Sequence, residues 1–169
     1  MSLSDLASLA TVVQGIVVIV SIGFVWYQLR ENGRLTRAAN TQKFIELSSP
    51  FNLQLVQDRE MAKLWAQGAK EWDKMDEIDK ERYLNLLMWW LLLHENIYHQ
   101  WKKKLLDKET YTAWKNDLES FISTQNLNQH WDHLKANLEA SFVDHMSQLI
   151  VEQTTKSRIA AEQVAKSKF

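Results

Sequence analysis

The sequence predicts an all-α protein: an N-terminal transmembrane helix continuing into a cytoplasmic bundle of about four helices. Three observations carry that prediction. Residues 6–29, LASLATVVQGIVVIVSIGFVWYQL, form a 24-residue run without a charge. Downstream, apolar residues recur at spacings of three and four, the period of a helix with one buried face. No segment alternates apolar with polar residues, and no Asn-Gly or Asp-Gly turn joins two β-rich runs.

The uncharged run sets the first element. At about 1.5 Å per residue it makes roughly 36 Å of helix, enough to cross a hydrocarbon core of about 30 Å with some tilt. A cleaved signal peptide fits less well, because no basic segment precedes the run and no small-x-small site closes it. Residues 1–5 contain no Lys or Arg, whereas Arg30, Arg34, Arg37 and Lys43 follow the span. Basic flanks are retained on the cytoplasmic side, so the N-terminus is expected outside and the rest of the chain in the cytoplasm. Trp26 and Tyr27 stand where amphipathic rings favour the headgroup level, and Arg30, Arg34 and Arg37 would form one basic stripe facing the lipid bilayer. Ala7, Thr11 and Gly15 are spaced by four, a pattern of small residues that permits close helix approach and self-association.

Residues 30–48 are predicted to extend the span as a helical stalk, broken at SSPFN because proline disfavours helix in the residue before it. Residues 49–152 then form the bundle. Met61, Leu64 and Trp65 mark a short amphipathic helix from Asp58 that should end near Gly68. Asp76 is a candidate N-cap for a long helix from Ile78 to about Leu105. The middle of that helix, LNLLMWWLLL, is apolar on nearly all faces; with charges close on both sides it reads as core rather than a second span. Asp107 should cap a helix carrying Tyr111, Trp114, Leu118, Phe121 and Ile122 on one face, ended by STQNLNQ. One last helix, from about Asn128 to Glu152, would bury Trp131, Leu134, Leu138, Phe142, Met146 and Leu149. Residues 153–169, polar and basic, are expected to be a frayed or loosely helical tail.

Composition narrows the function. Twenty Lys and Arg against 21 Asp and Glu leave a net charge of −1, which argues against nucleic-acid binding, since phosphate neutralisation needs a cationic surplus. The lack of Cys removes thiolate nucleophiles, iron–sulfur clusters and Cys-ligated zinc. Four Gly are too few for a phosphate-cradling loop, and no nucleophile elbow or Ser/His/Asp order is present. Neither a cofactor nor an enzymatic activity is therefore expected. The metal test centres on His94, Glu95, His130 and His133. His94-Glu95 begins like a metalloprotease helix, but Tyr98 occupies the position of the second His, and no Glu-x-x-His occurs. His130 and His133 are spaced to reach one ion, with His94 or Glu95 as a third ligand; satisfied or solvated side chains are the competing reading. Glu95 closes the apolar run, a place for partial desolvation or a structural hydrogen bond.

Trp26-Tyr27-Gln28-Leu29-Arg30, Arg37-Ala38 through Thr41-Gln42, the Asp58-to-Gly68 segment, Glu81-Arg82-Tyr83, Glu95, and Trp114 followed by Trp131 form a pattern. It resembles small bacterial single-span, membrane-anchored helical proteins of uncharacterised function. The resemblance implies fold and topology and supplies no catalytic residues. Where that pattern has a Gly before the acid that starts the penultimate helix, this chain has Leu105-Leu106, and where it has a Pro-Gly before the last Trp, this chain has Asn126-Leu127-Asn128.

The expectation drawn from these features is a membrane-anchored, non-enzymatic interaction or regulatory module, forming a homo-oligomer or holding a protein partner. A small homo-oligomeric channel and a metal-binding helical-bundle enzyme or sensor are the alternatives.

Overall fold

The computed structural model describes residues 2–166; the side chains at 5, 7, 160–162 and 164–166 fall outside that description. The fold is all-α, a long apolar N-terminal helix followed by a helical bundle, with no strand among the described residues. The chain divides into two compact units, one up to Asn40 and one from Thr41. Helix α1, Leu3–Gln57, contributes to both.

In the first unit α1 is bare. Ile19 is 72% exposed and Leu29 67%, and the most apolar stretch of this helix has a mean hydropathy of 2.2 with none of it buried. Among the described residues α1 is the helix long and apolar enough to cross a membrane. Apolar side chains exposed all round a helix have no counterpart in an aqueous surface.

The second unit begins with the C-terminal part of α1, where the sequence expectation fails. SSPFN does not break the helix: Pro50 lies inside α1, which continues to Gln57. Phe44, Ser48 and Phe51 are buried at spacings of four and three, one helical face. Only a helix that continues through Pro50 keeps Phe51 on the face of Phe44. An interior proline costs about 3 kcal/mol, and burying each aromatic side chain returns about 1.5–3 kcal/mol. Residues 41–48, assigned by sequence to a stalk, thus carry core side chains.

Helix α2, Arg59–Lys70, starts at Asp58, whose carboxylate accepts the backbone N–H groups of Glu60 and Met61 at 2.9 and 3.1 Å. It does not stop at Gly68. That glycine is buried, and a Cβ built on it would lie 2.2 Å from the Tyr83 ring, so its role is to let α2 close on α3. A 3-10 turn, Trp72–Lys74, leads to α3, Glu77–Lys102, capped by Asp76 through the Asp79 N–H at 2.8 Å. Helix α3 is the central helix: Tyr83, Leu87, Leu91 and Ile97 are at most 2% exposed. Helix α4, Lys108–Thr124, is capped by Asp107 through the Thr110 N–H at 2.7 Å.

The single last helix is also overturned. Asn126 adopts a left-handed conformation (φ 51°), and the chain passes through a 3-10 turn, Leu127–Gln129, the short α5, Trp131–Leu134, and another turn, Lys135–Asn137. Leu138 is extended, and α6, Ala140–Lys166, begins afresh. Glu139 makes the new start: its Oε2 accepts the backbone N–H groups of Ser141 and Phe142, satisfying donors a helix leaves open at its first turn. The predicted inward residues still reach the core, with Leu134, Phe142 and Met146 at most 1% exposed.

Of the C-terminal tail, residues 153–166 continue α6 as helix, and residues 167–169 lie outside the described residues. Gln153 Nε2 donates to Glu119 Oε2 of α4 at 2.8 Å, and Lys156 lies 3.9 Å from the same carboxylate. These contacts hold the polar segment where core apolar residues have ended.

Candidate functional site

His94 sits on the buried side of α3, 2% exposed, because it follows Leu87 and Leu91 on the core face. Its Nδ1 is 3.0 Å from the Trp90 carbonyl oxygen, an acceptor, so Nδ1 carries a proton and donates it. Its Nε2 lies 3.3 Å from Asp117 Oδ2 of α4 without the alignment of a hydrogen bond. The Trp90, Trp114 and Phe121 rings enclose the imidazole at centroid distances of 5.4, 5.9 and 6.4 Å. A cavity of about 10 Å³ beside it, also lined by Tyr98, Tyr111 and His145, has room for about one water.

The other predicted ligands do not gather around His94. Glu95, next in sequence, points elsewhere: its Oε1 accepts the Glu139 backbone N–H at 2.6 Å. It is half-buried and ties α3 to the start of α6. His130 is buried against Trp72 at 4.4 Å between ring centroids and near Tyr83 at 5.8 Å. Burial, then the neighbouring His133, pushes the pKa of His130 below the ordinary histidine value. His133 itself is exposed, so the spacing of three leaves one imidazole inside and one outside. Among the described residues no group of three or more His, Asp or Glu side chains is placed to hold a metal ion.

Sequence reasoning missed Asp117, Glu139 and His145. Asp117 is reached from His94 only by the packing of α3 on α4, and nothing in its local pattern marks it. His145 stacks on Tyr98 at 4.8 Å and 16°, and burial, then Lys115, lowers its pKa. Gln125 was the polar residue that betrays burial by its partner: it is 8% exposed, and the Tyr83 hydroxyl lies 3.0 Å from its carbonyl and 3.1 Å from its Oε1. Burial raises the Tyr83 pKa well above the ordinary phenol value, so the hydroxyl keeps its proton and donates.

The residues assigned to the membrane and to self-association all lie on α1. Trp26 and Tyr27 are 60% and 61% exposed. Arg30 stacks over Trp26 at 5.7 Å, and Arg34 pairs with Glu31 at 2.5 Å, raising the Arg34 pKa and lowering that of Glu31. The basic stripe of Arg30, Arg34 and Arg37 is therefore partly neutralised on its own helix. A Cβ at Gly15 would meet nothing within 4 Å; Thr11 lies one turn before it, and the Ala7 side chain lies outside the described residues.

Compared with known proteins, the chain matches no protein-family model, no curated protein and no solved structure.

Proposed function

We propose that this protein is a membrane-anchored, non-enzymatic interaction or regulatory module that self-associates, of the kind found in small bacterial single-span helical proteins. The anchor is the span at residues 6–29 in a bacterial inner membrane, with the N-terminus outside and the bundle in the cytoplasm. One observation carries the reading: a 24-residue run without charge forms an exposed helix in a chain whose unit from Thr41 builds a hydrophobic core of its own. Trp26 and Tyr27, followed by Arg30, Arg34 and Arg37, supply the interfacial and cytoplasmic flank. Ala7, Thr11 and Gly15 supply the helix-packing face.

The natural lack of Cys makes a direct test available. Ser4→Cys and Thr155→Cys, both exposed positions, would be labelled in intact cells with a membrane-impermeant maleimide. Labelling at position 4 with protection at 155 supports the orientation, and the reverse overturns it. The mass of the complex in detergent then tests self-association: a defined homo-oligomer that Gly15→Leu dissociates supports it, whereas a strict monomer rejects it.

A further inference from the structure

Within the uncharged run of α1 the polar side chains are not scattered. Gln14, Ser21 and Gln28 repeat at intervals of seven, and Thr11, Val18 and Val25 stand three residues before each of them in turn. At about 3.6 residues per turn these six positions share one sector of the helix, about 100° wide. The other residues from 9 to 24 are Ala, Gly, Val, Ile, Leu or Phe, so the rest of the circumference offers only carbon. Alternating steps of three and four are the seam of a left-handed coiled coil, in which each position faces its own copy across the axis.

The amides on this seam need a partner. Hydrocarbon supplies none, and polar side chains within a span are accordingly turned toward other helices. Ser21 Oγ donates to the Val17 carbonyl at 2.8 Å, which uses its proton and leaves its lone pairs open. Gln14 and Gln28 are exposed, and among the described residues neither side-chain amide has a hydrogen-bond partner. A carboxamide both donates and accepts, so an identical carboxamide satisfies it. A second copy of this chain, crossing the membrane in the same direction, presents Gln14 to Gln14, Ser21 to Ser21 and Gln28 to Gln28 at equal depth. A different partner would need matching polar groups at three depths about 10 Å apart.

We infer that α1 pairs in parallel with a second copy of this chain along the seam of Thr11, Gln14, Val18, Ser21, Val25 and Gln28. The inference rests on the reading that α1 spans a membrane and self-associates, and it specifies the face. Ala7, seven residues before Gln14, and Thr11 belong both to this seam and to the spacing of four. The two patterns part at Gly15, from which the spacing of four runs on to positions 19 and 23. On the seam Gly15 lies at the edge beside Gln14, where the missing side chain opens the approach of the partner helix.

The chain has no Cys, so single-Cys variants of the full chain report the face directly. Each is oxidised with iodine in native membranes, and disulfide-linked dimer is read on a non-reducing gel. Dimer should peak at Gln14→Cys, Val18→Cys, Ser21→Cys and Val25→Cys, with little at Ile16→Cys, Ile19→Cys and Gly23→Cys. Thr11→Cys and Gln28→Cys, near opposite ends of the span, should each link to themselves, which an antiparallel pair does not allow. Peaks at positions 15, 19 and 23 would overturn the seam and keep self-association, whereas cross-linking at no position would overturn both. Equal cross-linking at every position would show collision alone and overturn the seam. Gln14→Leu then tests the amide: the dissociation constant of the pair in detergent, measured by sedimentation equilibrium, should rise about threefold or more, the worth of an interhelical hydrogen bond in a membrane protein. Ser8→Leu, which removes a polar residue off the seam, should leave it unchanged. An unchanged constant for Gln14→Leu, or an equal shift in both variants, would overturn the pairing of the amides.

Discussion

Two stretches of this chain are nearly uniform in hydrophobicity and opposite in burial. Residues 12–25 of α1 and residues 84–93 of α3 are both apolar on almost every helical face. In α1, Val12, Ile16, Ile19 and Phe24 are 57% to 72% exposed; in α3, Leu87, Trp90, Leu91 and Leu93 are at most 8% exposed. Composition alone does not separate them. Length and neighbours do: the α3 run is too short to cross a bilayer and its ends are charged, and α1, α2 and α4 supply side chains that cover it. An apolar helix is satisfied either by protein or by lipid, and the number of partner side chains the same unit can supply decides which.

The strongest way to break this contrast is to remove a partner of α3. Phe142 on α6 is fully buried, with its ring 5.6 Å from that of Tyr98. Phe142→Ala is expected to destabilise the bundle by about 3–5 kcal/mol, read as a lower thermal midpoint by near-UV circular dichroism, while membrane association stays intact. The complementary change belongs to α1. Ile19→Arg puts a charge near the middle of the uncharged run, at a cost of about 2.5–3.5 kcal/mol for insertion. Fractionation should move the protein from membrane to soluble or aggregated material, with the bundle's own melting unaltered. If Phe142→Ala also released the protein from membranes, the two stretches would not be separate in function.

A smaller effect sharpens the account of how α3 is covered. Gly68→Ala places a methyl carbon 2.2 Å from the Tyr83 ring, closer than atoms approach. Tyr83 is fully buried and its hydroxyl is committed to Gln125, so the ring has little room to retreat. Overpacking of that kind costs about 1–3 kcal/mol, and equilibrium unfolding in urea should show it. Gly68→Ala with wild-type stability would mean that α2 shifts freely on α3.

What was legible in the sequence follows the range of the interaction. Asp76 and Asp107 are read as helix starts because a cap acts within three residues, and both make the expected bond to the third N–H. The core faces of α3 and α4 are likewise periodic signals. Pro50 misleads because its local preference is real but smaller than the gain from keeping Phe51, just after it, on the buried face of Phe44. Glu139 escapes notice because Glu is an unusual cap, and its own N–H is met by Glu95, 44 positions away. The same limit governs the candidate sites. His94 and Glu95 stand out by position, yet their partners Asp117 and Glu139 lie far away in the sequence. His130 and His133 show the converse: the right spacing, with one imidazole buried against Trp72 and the other exposed.

Burial of two imidazoles gives the bundle a pH response that α1, which holds no His, does not share. His130 and His145 are both shifted to lower pKa in the folded state, with burial the larger cause in each. Below the ordinary histidine value of 6.5 the unfolded chain binds protons that the folded bundle resists, so the unfolded state gains stability as pH falls. The contribution is fully present above that value and is lost progressively as pH drops toward the depressed folded values. The melting temperature of the bundle should therefore decline between about pH 7 and pH 5, and His130→Gln should flatten part of that decline. His133→Gln is the control: His133 is exposed, so its removal should leave most of the slope. A slope that persists unchanged in a His130→Gln, His145→Gln double variant would assign the acid sensitivity to groups other than these two imidazoles. Glu139 is not among them: its bonds to Ser141 and Phe142 hold its pKa below the ordinary carboxyl value of 4.5, so its contribution is lost only at pH values beneath that window.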